Sequence, residues 1–465
     1  MKKFDSIRSR SFRVGGYSFV AALIVLALLV AVNMIMDSLP TSATHLDATP
    51  SKIYSISDQT KNVLKTLDRD VTFYWICQEG HEDPALETLM GHYTSGSAHV
   101  KVERIDPDVN PAFVEQYTLE LQNNSVVVAS DNRSRYISNE EIYVQDYEVY
   151  YATGEDVWNF EGEDALTRGI YYVVTDNLPK VYVMNGHGEQ ALSETQQNDF
   201  QDENLELASL SLVSLSAIPE DADMVLCYLP TNDISEAEKK VLQDYMAAGG
   251  KLLLVTMPTG TDMPNLEAVM SGYGITVTDG FVVESDASKY SQAPYGLLPA
   301  VASHEITDPV RNNNLYVLMP FSQGLKVTET GITTLSVTQL LTSSDSSYSK
   351  VNMESTNIEK EAGDVDGPFC VGVAVEDAAT GAQAVWYTSE YVLQNYGGNV
   401  DIFFNAINWM CDQEEMIAIR GKTMTQEYLE MNETSADTMA WIVIAIIPLG
   451  YLAIGINTYM RRKRR

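Results

Sequence analysis

Two side chains in the stretch VYVMNGHGEQALSE have the chemistry of a site. They are His187 and Glu189, held in the turn Asn185-Gly186-His187-Gly188-Glu189. An imidazole beside a carboxylate is the base-and-orienter half of a hydrolytic centre. The other half is missing. No G-x-S-x-G elbow occurs, and Cys227 falls inside a strand-like run instead of on the turn after one. The six histidines (45, 81, 92, 99, 187, 304) are scattered, and none stands at ligand spacing from His187, so no metal is expected. Gly421-Lys422-Thr423 imitates the end of a phosphate loop, but Met416 stands where its first glycine is needed. A nucleotide cofactor, or any other cofactor, is therefore not expected. The sequence favours a structural turn or a ligand pocket, with a hydrolase using His187 and Glu189 as the alternative.

The elements around the turn follow from periodicity. Val181–Met184 reads as a buried strand, and Ser193 and Gln196 are spaced as a capping box opening a helix. Residues 223–229 and 251–256 read as further buried strands. Between them residues 235–248 read as a helix, with a capping box from Ser235 to Glu238, an apolar stripe of Ala237, Val241, Tyr245 and Ala248, and Gly249-Gly250 as its stop. Strands alternating with helices predict a mostly parallel sheet. In such a sheet ligands sit at the carboxyl ends of strands. Two more strand ends, at Thr256 and at Thr388-Ser389-Glu390, are placed at the same edge. The candidate crevice is thus Asn185, Gly186, His187, Gly188, Glu189, Thr256, Thr388, Ser389 and Glu390.

This α/β domain is assigned to residues 164–422, as Rossmann-like or amidotransferase-like. Within it, residues 342–361 have a polar, flexible composition, and residues 369–377 and 382–389 form a hairpin across Thr380-Gly381. A first domain is assigned to residues 52–160. Its strand–helix–strand order, then a helix and a hairpin, has the pattern of a thioredoxin-like domain. Cys77 is followed by Gln78, Glu79 and Gly80, so it has no CxxC and no disulfide chemistry. A tyrosine-rich acidic stretch at residues 140–162 closes it as edge hairpin or linker.

Outside the two domains lie two uncharged apolar runs, residues 14–36 and 439–460. Each has the ~20 residues a membrane helix needs. Basic clusters flank them, at residues 1–13 and 461–465. Cationic flanks stay in the cytoplasm, so a two-pass plasma-membrane protein is expected, both termini inside and the bulk outside. The formal net charge of −34 excludes nucleic acid as a partner. Cys77, Cys227, Cys370 and Cys411 lie in separate apolar runs and read as buried thiols, with a disulfide permitted outside the cell. Asn123, Asn132 and Asn432 open N-x-S/T triplets that carry no further argument.

Several segments together resemble the GldG-like auxiliary component of ABC-type transport systems, a family named for gliding motility. They are KIYSISDQTKNVLKTLDRDVTFYWI, VYVMNGHGEQ, ADMVLCYLPTNDISEAEKKVLQDYMAAGGKLLLVTMP, LLTSSDSSY, the Gly367–Phe369 triplet and DIFFNAINWM before IAIRGK. Tyr348 departs from a tryptophan common in the family, and the Thr388-Ser389-Glu390 strand end replaces a Gly-Asp-Ser type. The resemblance implies a non-enzymatic extracytoplasmic subunit working with a separate ABC ATPase and a polytopic permease.

Overall fold

The computed structural model describes residues 55–117, 122–146, 156–353, 357–411 and 422–423, with residues 24, 28, 150, 154, 355 and 460 singly. The apolar runs at 14–36 and 439–460 lie outside the described residues, those single positions apart. Among the described residues no helix is long and apolar enough to cross a membrane.

Alternation of apolar strands with amphipathic helices builds the larger layer, a ten-stranded sheet. Glu206–Ser211, Lys180–Asn185, Met224–Tyr228, Lys251–Val255 and Ala382–Tyr387 lie side by side in that order and run parallel. Beyond them Cys370–Asp377, Leu335–Thr342, Gly324–Val327, Ile275–Thr278 and Ala300–Val301 pair antiparallel. The mostly parallel sheet expected from the sequence is thus half antiparallel. The reason is local: Gly381, at φ 79°, closes a tight hairpin that sends Ala382–Tyr387 back along its partner.

One face of the sheet is covered by the helix Asn399–Met410, whose Phe403 and Phe404 meet Phe200 edge-on. Asn399 caps the arrangement from inside, bonding both backbone groups of Leu318 at 2.7 and 2.8 Å. The other face is covered by Glu236–Ala247 and Pro264–Ser271. The helix Glu236–Ala247 corrects the stripe read from sequence. Its buried residues are Glu238, Leu242 and Met246; Val241 and Tyr245 of the expected stripe pack half-buried against the core, whereas Ala237 and Ala248 are exposed. The sequence stripe leaves the Glu238 carboxylate on the solvent side, and the helix is in fact turned to bring it inward. The strand Lys180–Asn185 is also less buried than its composition suggests, because only the edge strand Glu206–Ser211 separates it from the sheet margin.

The first layer is a four-stranded sheet in the order Val100–Ile105, Val71–Ile76, Ser125–Ala129, Ser134–Ile137. The first two strands are parallel, and Ser125–Ala129 is antiparallel to Val71–Ile76. Helices Asp58–Thr66, Pro84–Gly96 and Gly162–Val174 pack on one of its faces. Two arginines tie it to the larger sheet. Arg168 pairs with Asp164 and Glu203, and Arg135 donates to the Asp202 carboxylate at 2.9 Å and to Asn204 Oδ1 at 3.1 Å. Lys422–Thr423, far along the chain, pairs back onto Phe160 and Asn159.

Part of the polar stretch 342–361, flexible by composition, is ordered inside the fold. Tyr348–Lys350 is a buried strand against Phe281–Val283. Lys350 is 1% exposed because Glu361, at 2.9 Å, and Asp364, at 3.5 Å, neutralise it. Cys77, Cys227 and Cys370 are buried thiols outside any disulfide.

Glu267 provides a stability test. Burial first, then Asp262, Asp233 and Asp279, push its carboxyl up to about 7 from 4.5. The folded state holds a proton there that the unfolded chain has released, so stability falls as pH rises through that window. Glu267→Gln should raise the melting temperature at pH 8 and leave it unchanged at pH 4, as followed by thermal circular dichroism.

Candidate functional site

The site starts from where the strand Lys180–Asn185 ends. Gly186 and Gly188 both take positive φ, 116° and 73°. A Cβ on Gly188 would collide with Thr231 Oγ1 and Asn232 Nδ2. These glycines let the turn fold back so that the His187 carbonyl accepts the backbone N–H of Thr231 at 3.1 Å and of Asn232 at 2.9 Å. Gln190 N–H donates to the Tyr228 carbonyl at 3.1 Å. The turn is therefore stitched to the loop that follows the neighbouring strand, Met224–Tyr228.

That stitching buries the His187 side chain between two carboxylates. Nδ1 lies 3.2 Å from Glu189 Oε1, and Nε2 lies 3.2 Å from Glu238 Oε1. The three side chains are 8%, 4% and 9% exposed. Glu189 also accepts the His187 backbone N–H at 2.7 Å. Glu238 is the third residue of its helix and closes the capping box, accepting the Ser235 N–H at 2.7 Å. Burial pushes the Glu238 carboxyl up, but the Ser235 hydrogen bonds and His187 outweigh it, and the group sits below the usual carboxylate range. The imidazole thus stands between two carboxylates, with a hydrogen bond at Nδ1 to Glu189 and an ion-pair contact at Nε2 to Glu238.

Sequence reasoning finds His187 and Glu189 and misses Glu238. The available signal is the i, i+4, i+8 series Glu238, Leu242, Met246, which shares one helix face. It also misses Leu229. This residue follows the strand Met224–Tyr228 at φ 52° and is 3% exposed. A non-glycine residue held left-handed on a strand-to-loop turn is where α/β hydrolases carry their nucleophile. Here the side chain is an alkyl group. Cys227 beside it lies within the strand, and burial drives its thiol far above the ordinary range.

The other candidate positions occupy neighbouring strand ends. Thr256 follows the strand two places from His187's strand and Thr388 the strand three places away, about 10 and 15 Å across the sheet. Thr256 is buried and accepts Trp386 Nε1–H at 2.8 Å. Thr388 and Ser389 are buried and donate to the carbonyls of Val371 and Pro320 at 3.2 and 2.6 Å. Glu390 opens a short 3₁₀ turn. Asn185, Gly186 and Gly188 are exposed, with Asn185 Nδ2 donating to Ser209 Oγ at 2.6 Å. The site's accessible part is thus the glycine turn itself, and no group of three His, Cys, Asp or Glu able to hold a metal occurs among the described residues.

Residues 178–391 match the family model of an ABC-type uncharacterized transport system, which covers the glycine turn and the Thr388–Glu390 strand end. This match supports an auxiliary component of an ABC-type transport system. Residues 50–145 match a domain of unknown function. No curated protein matches the chain. Among solved structures, the mmIFT52 N-terminal domain is similar over 50% of this chain and 96% of its own, at 16% identity and TM-score 0.37. A GMP synthase component from Thermoplasma acidophilum is similar over 51% of this chain and 96% of its own, at 10% identity and TM-score 0.28. The architecture rests on the strand order above.

Two variants test the site's construction. Gly188→Ala forces a left-handed alanine into the Thr231 and Asn232 side chains and should cost about 1–3 kcal/mol in urea denaturation. His187→Ala removes the imidazole packed between two buried carboxylates and should cost about 3 kcal/mol. Adding Glu238→Gln to His187→Ala should recover part of that loss.

Proposed function

We propose that the chain is a non-enzymatic accessory subunit of an ABC-type transporter, of the GldG-like kind, anchored in the plasma membrane through residues 14–36 and 439–460 with its two α/β layers outside the cell. The family match over residues 178–391 carries the reading. On this reading a separate ABC ATPase and a polytopic permease are its partners. The strand order of the first layer supports a thioredoxin-like domain without redox chemistry. The larger layer acts as a binding or scaffolding surface around the glycine turn. Two features argue against the hydrolase alternative: both nitrogens of His187 face carboxylates, and the elbow beside it presents Leu229.

Purification in a mild detergent tests the assignment. The tagged chain should bring down an ATPase and a permease in fixed ratio. A chain that runs alone while those two proteins co-purify without it sinks the proposal. The same preparation checks topology: cysteine labels placed in the basic ends should react only after the membrane is opened.

A further inference from the structure

The four-stranded sheet has two margins that differ. Ser134–Ile137 is tied to the larger layer by the Arg135 side chain. Val100–Ile105, at the opposite margin, pairs with nothing on its outer side among the described residues. Its register settles which backbone groups face outward. Val71 N–H donates to His99 O at 2.9 Å and Cys77 N–H to Ile105 O at 3.0 Å. In a parallel pair this assigns the odd-numbered residues to the inner ladder and points the backbone groups of Val102 and Arg104 away from it. The Val100 N–H is turned back to Ser97 O at 3.4 Å.

A cleft of about 550 Å³ lies beside this margin, between the strand and the helix Pro84–Gly96. Trp75, Met90 and Val102 give it an apolar floor, and Glu82, Glu87 and Arg104 line its rim. Val102 and Arg104 stand opposite Phe73 and Trp75, on the face that carries the helix. A strand added to the outer edge would therefore send alternate side chains into the cleft. The rim's charge is unbalanced. Arg104 is paired with Glu82, while no cation lies within ion-pair reach of Glu87 among the described residues. The chain as a whole carries −34.

We infer that this margin is a docking site for an extended polypeptide segment of a partner protein, one that presents an apolar side chain and, two residues along, a lysine or arginine. Main-chain bonds to Val102 and Arg104 hold the segment, the apolar side chain fills the floor over Trp75 and Met90, and the cation meets Glu87. The inference stands on the first layer alone and survives if the transport assignment fails.

Hydrogen exchange on the full chain in detergent tests it, with a ten-residue peptide alternating threonine with valine and lysine as the probe. The peptide should slow exchange at the Val102 and Arg104 amides. Val102→Pro, which removes an outward N–H and no inner one, should weaken binding about tenfold. Glu87→Lys, on an exposed helix face, should reverse the preference toward the same peptide with glutamate in place of lysine. Equal binding of the lysine and glutamate peptides, or protection absent from this edge, overturns the proposal. Slow exchange at both amides in the chain alone also overturns it, since its own residues or a second copy then cover the edge.

Discussion

Ionisable side chains buried against one another are the constraint around which the larger layer is organised. Glu189 and Glu238 reach His187 from different elements, one from its own turn and one from the helix after the next strand. Burying three ionisable groups is tolerable only when each has a partner. The arrangement therefore fixes three things together: the conformation of the glycine turn, the rotation of the helix Glu236–Ala247, and the path of the loop after Tyr228. Its backbone counterpart is the His187 carbonyl, which takes two N–H groups from that loop. Pulling one member out exposes the others to a cost none can meet alone.

The same scarcity of cations shapes the joint between the layers. The chain has 64 acidic and 30 basic residues, so a buried acid cannot count on a neighbour of opposite sign. Arg168 and Arg135 are placed where the helix Glu194–Asp202 ends, against Glu203 and Asp202. Burial raises both carboxyls, and the arginines pull them back only in part. Asp199, on the same helix without an ion pair of its own among the described residues, is pushed up to about 6, by burial first and then by Asp202 and Glu203. Lys350 shows the reverse case: one buried ammonium orders a polar loop by collecting Glu361 and Asp364 around it.

These two devices commit much of the ionisable chemistry of the described layers to structure. The strand-end side chains that could have served a reaction (Thr256, Thr388, Ser389) are committed to carbonyl and indole partners inside the fold. Among the described residues two open surfaces are backbone-rich: the glycine turn at one end of the large sheet and a strand margin of the small one that pairs with no described strand. Both suit recognition by contact better than catalysis, in keeping with an auxiliary transport component.

Local rules are readable from the sequence. The capping boxes at Ser193 and Ser235, the hairpin across Gly381 and the glycine turn around His187 each depend on residues a few positions apart, and each forms where the spacing places it. What the tertiary structure decided was which way elements face and what meets across long separations. Ala237 and Val241 make as good an apolar stripe on paper as Leu242 and Met246. Packing against the sheet, and the contacts of Glu238 with Ser235 and His187, centred the buried face on the second and left Val241 and Tyr245 half-buried at its flank. The polar run at 342–361 could become a buried strand because Lys350 found its acids, a pairing that composition cannot announce. Leu229's left-handed turn likewise follows from its hydrogen bond to Val255 on the next strand, 2.8 Å away. Sequence sets the period of each element, but its rotation and its partners are set by desolvation, which is a property of the assembled core.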